Sequence, residues 1–283
     1  MKKTITYRIT PGEYPAEIEK KARICHQKGL TLPNRKILRT KEQIRGIREC
    51  GKINTALLDF VSGHIREGMS TQDIDLLVYN FTSTHDAIPA PLNYEGFPKS
   101  VCTSINEVVC HGIPSKDEIL QSGDILNVDV TTIYKGYYAD ASRMFLIGEV
   151  SQQLRQLVQV TRECLELGIQ AARPWARLGD IGAVIEQHAK RHGYSVVRDF
   201  CGHGCGVGFH EPPDVNHYGR PGTGMVLVPG MTFTIEPMIN MGTHEVYVDE
   251  DDGWTVCTED GLPSAQWENM ILITEQGNEI LSY

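Results

Sequence analysis

When the sequence is slid along itself until Arg66 meets Arg173, Asp73, Ile74 and His85 fall on Asp180, Ile181 and His192. At the same offset Leu120, Gly123 and Asp129 fall on Leu227, Gly230 and Glu236. Around these positions the order helix, helix, strands occurs twice, so the matches pair element with element and acid with acid. Such a chain is a duplicated unit, whose halves bury their apolar faces best by packing about a pseudo-twofold axis. Asp129 and Glu236 are then expected on related strands, and one acid from each half approaches a common centre.

Residues 123–145 supply the second acid of the first half. Residues 125–133 alternate β-branched and apolar types, Lys135-Gly136 is a tight turn, and residues 137–147 form the return strand. At these distances from the turn, a short loop or bulge brings Asp129 and Asp140 face to face across the ladder. Asp is disfavoured inside strands and two adjacent carboxylates repel, so the pair needs solvent, protons or a cation. The hairpin alone leaves a solvated face and a metal site both open.

Elsewhere the periodicity sets the frame. Thr40 is positioned to cap a helix over 40–66 with Ile44, Ile47, Ile53, Leu57, Leu58, Val61 and Ile65 on one face, and Gly68 is expected to end it. Ser70 and Asp73 resemble a capping box opening a helix through residue 85. Residues 99–104 and 107–111 are expected to form a short hairpin, with His111 at its end beside Gly112 and Pro114. Long helices follow over 151–173 and 178–192.

With 283 residues, 41 % of them apolar, the chain is large enough for a sizeable core. No run of 18 apolar residues occurs, and Lys2 and Lys3 precede no apolar leader region. Eight cysteines without a CxxC pair suit a reducing, cytoplasmic setting. Residues 1–39 hold ten Lys and Arg against three Glu, although the whole chain carries −9. A basic arm with a short helix over 16–27 therefore precedes an acidic body that is no nucleic-acid platform. Three readings of the arm stand: a segment that lies along the body, a solvated tail, or a segment that docks on an anionic surface such as ribosomal RNA.

The second half adds further polar groups. Residues 201–211, CGHGCGVGFHE, combine His203 and His210 with four glycines that let backbone crowd a site. Residues 226–239 are expected as one strand bearing Glu236 among apolar neighbours, and residues 265–274 as another bearing Glu268. A buried lone carboxylate needs a proton or a cation. Taken together, Asp129, Asp140, His203, Glu236 and Glu268 offer four carboxylates and one imidazole, a set that converges only around two divalent ions. Shared carboxylates that hold two ions about 3.5 Å apart with water between them make a hydrolytic centre.

The motifs VVCHGIP, NVDV, DASRMF, CGHGCGVGFHE, MTFTIEPM and SAQWE resemble, as a set, the type I methionine aminopeptidases of the pita-bread fold, over residues 40–281. The resemblance implies an α+β fold with two pseudo-twofold-related helix/strand halves around a central antiparallel sheet, here with a basic N-terminal extension over 1–39 and a catalytic domain over 40–283. It implies Asp129, Asp140, His203, Glu236 and Glu268 as ligands of two divalent ions drawn from Co, Mn, Fe or Zn, with Asp140 and Glu268 bridging. Glu236, His111 and His210 are implied as catalytic groups. Tyr94, Phe97, Cys102, Phe209 and Trp254, with the two histidines, are implied as the pocket for methionine.

The implied activity is removal of initiator methionine from nascent chains with a small second residue, by a cytoplasmic monomer without membrane association. The implied partners are nascent polypeptide N-termini and, through the arm, the ribosome. A proline-cleaving peptidase of the same fold and a catalytically dead peptide-binding module are the alternatives. The chain departs from the family at Asn269-Met270, where His-Thr is common, at Pro91 and at Cys205.

Overall fold

The computed structural model describes residues 14–283; residues 1–13 of the basic extension lie outside the described residues, as does the side chain of Glu17. Helix α1 (Ala16–Gln27) leads into the first half, which comprises α2 (Lys41–Ser62), α3 (Thr71–Thr84), β1 (Ile88–Pro89), β2 (Cys102–Ile105), β3 (Val108–Cys110), β4 (Ile125–Tyr134) and β5 (Tyr137–Leu146). The second half begins with α4 (Gln152–Ala171), α5 (Leu178–Arg191), β6 (Ser195–Val196), β7 (Gly202–Gly204), β8 (Glu211–Val215) and β9 (Thr232–Ile235). It closes with β10 (Met238–Asn240), β11 (Val246–Val248), β12 (Val256–Thr258), β13 (Ser264–Gln266), β14 (Glu268–Ile273) and β15 (Asn278–Ser282).

Both helices of the first half start in reciprocal caps. Thr40 Oγ1 accepts from the Gln43 amide while the Gln43 side chain accepts from the Thr40 amide, and Ser70 and Asp73 repeat the exchange. Helix α2 stops at Ser62, earlier than the periodicity suggested. The Gly63 amide closes the last turn on the Asp59 and Phe60 carbonyls, and Gly68, at φ 83°, turns the chain into α3.

The main sheet runs β1-β4-β5-β14-β9-β7-β8, with β2 against β4 and β15 against β14. Its four central strands, β4-β5-β14-β9, exchange β4 with β9 and β5 with β14 under a twofold, as the duplicated sequence requires. Strand alternation then sorts the faces. Leu126, Val128 and Val130 of β4 pack with Leu57, Leu58, Val61, Ile74 and Val78 of α2 and α3. The intervening Asn127, Asp129 and Thr131 point to the other side. The related helices α4 and α5 bury Leu157, Val160, Ile181 and Ile185 with Phe233, Ile235, Ile271 and Ile273. This curled antiparallel sheet with paired helices on its outer face is the pita-bread architecture.

Three expectations are corrected. Strands β2 and β3 do not form a hairpin; β2 pairs with β4 and β3 with β12, and Asn106, at φ 52°, lets the chain part between them. The strand expected over 226–239 is two: β9 belongs to the main sheet and β10 to a small one with β13 and β6. The strand over 265–274 divides likewise into β13 and β14. Both stretches change sheets side by side, at Glu236-Pro237 and at Trp267, so Glu236 lies just past the end of β9 and Glu268 is the first residue of β14.

The solvated-tail reading fails for residues 14–39. Tyr14, Ile18, Ala22, Cys25 and Leu32 are buried in the same core as α4 and α5. The Val226 amide donates to Thr31 O and the Arg39 amide to Gly230 O, both at 2.8 Å. Lys20, Lys21 and Arg23 occupy the exposed face of α1 and Lys28 its exposed C-cap, with Lys21 Nζ 4.7 Å from the Trp175 ring centre.

Candidate metal centre

The hairpin of β4 and β5 is regular, with Lys135 and Gly136 both at positive φ in its turn. Without a bulge, Asp129 faces Ser142 and Asp140 faces Thr131. The two carboxylates are thus diagonal neighbours on one face, not directly opposed as expected. Ser142 also pairs with Glu268 across the next ladder, so Asp129, Ser142 and Glu268 lie in one row over three strands. Strand β9 ends at Ile235 opposite Asn269, which brings Glu236 out beside Glu268.

His203 on β7 enters from the other side. Its Nε2 lies 3.6 Å from Asp140 Oδ2 and 3.7 Å from Glu236 Oε1. Ligand atoms of Asp140, His203 and Glu268 lie within 4.8 Å of one another. Glycines around His203 admit these approaches: a Cβ on Gly202 would meet Thr234 O at 2.5 Å and one on Gly204 would meet Pro212 O at 2.2 Å. The crowding that requires glycine is therefore against neighbouring backbone, rather than against a ligand.

All five side chains line the floor of one cavity of about 560 Å³. Burial pushes Asp140 up to about 7, although Thr131 Oγ1 donates to it at 2.7 Å. Burial and then the Asp140 charge hold Asp129 well above the ordinary carboxylate range. Glu236 and Glu268 are held high by burial first and by the other acids after it. Asp129 and Glu268 hydrogen-bond each other, which requires a proton between them. Four carboxylates that burial and mutual repulsion disfavour as bare anions, beside a histidine that burial keeps neutral, are a donor set that fits divalent cations.

The walls hold the remaining predicted residues. Tyr94, Phe97, Cys102, His111, Phe209, His210 and Trp254 all line the same cavity. Phe97 and Trp254 meet edge to face at 5.3 Å, and Tyr94 and Phe209 lie 4.8 Å apart. His111 adopts φ 59°, uncommon outside glycine, and its ring meets Phe200 at 5.5 Å. Gly112 follows because a Cβ there would lie 2.0 Å from Thr103 O. Burial and then the neighbouring His203 pull His111 down to about 4, so it is neutral at pH 7. His210 keeps an accessible ring at the mouth, its Nδ1 3.0 Å from Tyr94 Oη, and is pulled below its ordinary value by the surrounding protein and by His203.

Sequence reasoning missed the groups behind these. Thr234 Oγ1 and Gln266 Nε2 donate to Glu236 at 2.7 and 3.2 Å, and the Glu236 amide donates to His217 Nε2 at 3.0 Å. His217 is fully buried and pulled down to about 3 by burial, so it is the neutral acceptor this contact needs. No spacing in the sequence singled it out.

Residues 45–275 match metallopeptidase family M24. The chain belongs to that family. Among M24 relatives, methionine aminopeptidase A of Synechocystis is 51 % identical over 87 % of this chain and 96 % of its own length. Methionine aminopeptidase 1 of Saccharomyces cerevisiae is 42 % identical over 98 % of this chain and 73 % of its own, so that alignment takes in the extension. The crystal structure of the Rickettsia prowazekii methionine aminopeptidase, 48 % identical, superposes with a TM-score of 0.85 over 87 % of this chain and 99 % of that one. Prolidase from Pyrococcus furiosus, at 22 % identity and a TM-score of 0.67, shares the fold. The family is one of metallopeptidases, and Asp140, His203 and Glu268 on the cavity floor have ligand atoms close enough together to hold a metal ion.

Proposed function

We propose that this chain removes N-terminal methionine from new polypeptides whose second residue is small, in the cytoplasm, at a centre of two divalent ions. The convergence of Asp129, Asp140, His203, Glu236 and Glu268 beneath an aromatic and thiol-lined wall carries the reading. All five would hold the ions, with Asp140 and Glu268 shared between them, and the donor set admits Co, Mn, Fe or Zn. When bound, the ions polarise the scissile carbonyl and make water a nucleophile at neutral pH.

The protein's own groups do the rest. Tyr94, Phe97, Cys102, Phe209 and Trp254 hold the methionine side chain, whose thioether favours aromatic edges. The acidic floor attracts the substrate's free α-amine. Glu236, anchored by Thr234 and Gln266, takes the proton of the attacking water. His210, neutral and oriented by Tyr94, donates to the developing oxyanion, and neutral His111 donates to the tetrahedral centre or the leaving amide nitrogen.

Residues 40–283 are the catalytic unit in this reading, acting as a monomer. Residues 14–39 are an extension docked on it, whose exposed lysines and arginines face ribosomal RNA beside the emerging substrate. The decisive assay is metal-dependent release of Met from Met-Ala-Ser compared with cleavage of Ala-Pro substrates. Cleavage of the Ala-Pro substrates instead would return the chain to the proline-specific members of the fold, and no turnover of either with any of the four metals would make it a binding module.

A further inference from the structure

We propose that Glu163, His188 and His192 form a second divalent-metal site, on the helical layer of the second half and separate from the cavity. Helix α5 places His188 and His192 one turn apart on the same face, with ring centres 4.8 Å apart. Glu163 reaches them from α4, its Oε2 2.8 Å from His188 Nε2. One ligand atom from each of the three lies within 4.8 Å of the others, so a single ion reaches all of them after small rotamer adjustments. None of the three lines the catalytic cavity.

Several features prepare the place for a cation. The two histidines occupy the last turn and the C-cap of α5, where exposed carbonyls concentrate negative potential. Gln159 Nε2 donates to Glu163 Oε1 at 3.0 Å, which orients the carboxylate and leaves Oε2 for the site. Hydrogen bonds from Gln159 and His188 hold Glu163 below its ordinary value, so it is ionised at neutral pH. Neighbouring cations are engaged elsewhere: Lys190 and Arg198 pair with Glu186, and Arg162 pairs with Glu166.

Two imidazoles and one carboxylate select a borderline ion such as Zn(II), Cu(II) or Ni(II), and leave a coordination position for water. The bound ion would stand where His188 now contacts Glu163 and would clamp α4 to α5. These helices already pack through Leu157, Val160, Ile181 and Ile185, so the effect is added rigidity without a change of fold. The inference does not rest on the proposed hydrolytic reaction.

Copper offers a readout that separates the two sites, since the catalytic floor contains one imidazole and this site contains two. Full-length protein loaded with its catalytic metal is titrated with Cu(II), and the electron paramagnetic resonance spectrum is compared with that of His188→Gln/His192→Gln. The expected result is a two-nitrogen signal at one equivalent in the parent, lost in the double variant, with Met-Ala-Ser turnover equal in both proteins before copper is added. Equilibrium dialysis against Zn(II) is expected to give one more bound equivalent in the parent than in the double variant. Glu163→Gln, which removes the charge but keeps one amide oxygen to accept from Gln159, is expected to weaken Zn(II) binding at least tenfold. Equal zinc stoichiometry in parent and double variant, or a copper signal that survives the substitutions, would overturn the proposal.

Discussion

Arg39 is the residue through which the docked extension reaches the cavity, and its replacement gives the sharpest test of that connection. Its guanidinium, 2 % exposed, donates to Thr232 Oγ1 at 2.9 Å and to Glu211 Oε1 at 2.8 Å. The same Glu211 oxygen accepts from the amides of Val207 and Gly208, at 3.0 and 2.7 Å. Arg39 thereby neutralises the carboxylate that pins the loop carrying Phe209 and His210. Removing one partner of a buried ion pair costs roughly 3–5 kcal/mol. Glu211 is 20 % exposed and keeps both amide donors, so Arg39→Met should cost about 2 kcal/mol. At about 2–4 °C per kcal/mol for a chain of this size, Tm falls by about 4–8 °C.

Turnover should fall about tenfold with metal content unchanged, because the loosened loop bears a wall residue and a proposed hydrogen-bond donor but, among the proposed ligands, only His203 lies nearby. Thermal melts, metal analysis and tripeptide kinetics of Arg39→Met, Glu211→Gln and the double variant form a cycle. A coupling of about 1–2 kcal/mol is expected. Additivity within about 0.5 kcal/mol, or a loop substitution that melts and turns over like the parent, would refute the argument.

Four other outcomes follow from the same structure. Asp140→Asn and Glu268→Gln should each abolish turnover and lower bound metal while the metal-free proteins stay folded, since each removes a repelling carboxylate; full activity in either would end the two-ion reading. His111→Ala and His210→Ala should lower kcat on the order of 10²- to 10⁴-fold with metal retained, and loss of metal would make that histidine a ligand. With Asp140 raised from 3.8 to about 7, the metal-free folded state binds more protons than the unfolded one in that interval, so this group's stabilisation is lost as pH rises through it. Metal displaces those protons, so the metal-induced rise in Tm should grow from pH 5 to 7.5; a flat dependence would contradict the shared-proton floor. Deleting residues 1–38 removes Tyr14, Ile18 and Leu32 from the core at roughly 1.5–3 kcal/mol each, partly offset by freed chain entropy, and Tm should fall by about 10 °C or more. An unchanged melt would return this segment to solvent.

The pattern of residues already determined much of this protein. Duplication, period-2 alternation in residues 125–133 and the period of α2, α4 and α5 are local properties, written into the order of apolar and polar side chains, and they led to two halves with an acid in each. That the acids would share one cavity was legible because carboxylates placed in apolar strands need solvent, a proton or a cation. Register and sheet membership were not legible, since they depend on partners far along the chain. Asp129 and Asp140 became diagonal because the hairpin closes through a two-residue turn without a bulge. Glu236 came to lie just past the end of β9 and Glu268 at the first pair of β14 because two strands change sheets together, which no window of sequence records. His217 acquired its role only when folding brought its Nε2 to the Glu236 amide, and the extension's place was decided by an apolar stripe on α1 that charge counting had obscured. Local periodicity fixes which face of each element is apolar; only the packed structure decides which distant face covers it, because that choice is made by complementary shape and by the polar groups that burial would otherwise leave unpaired.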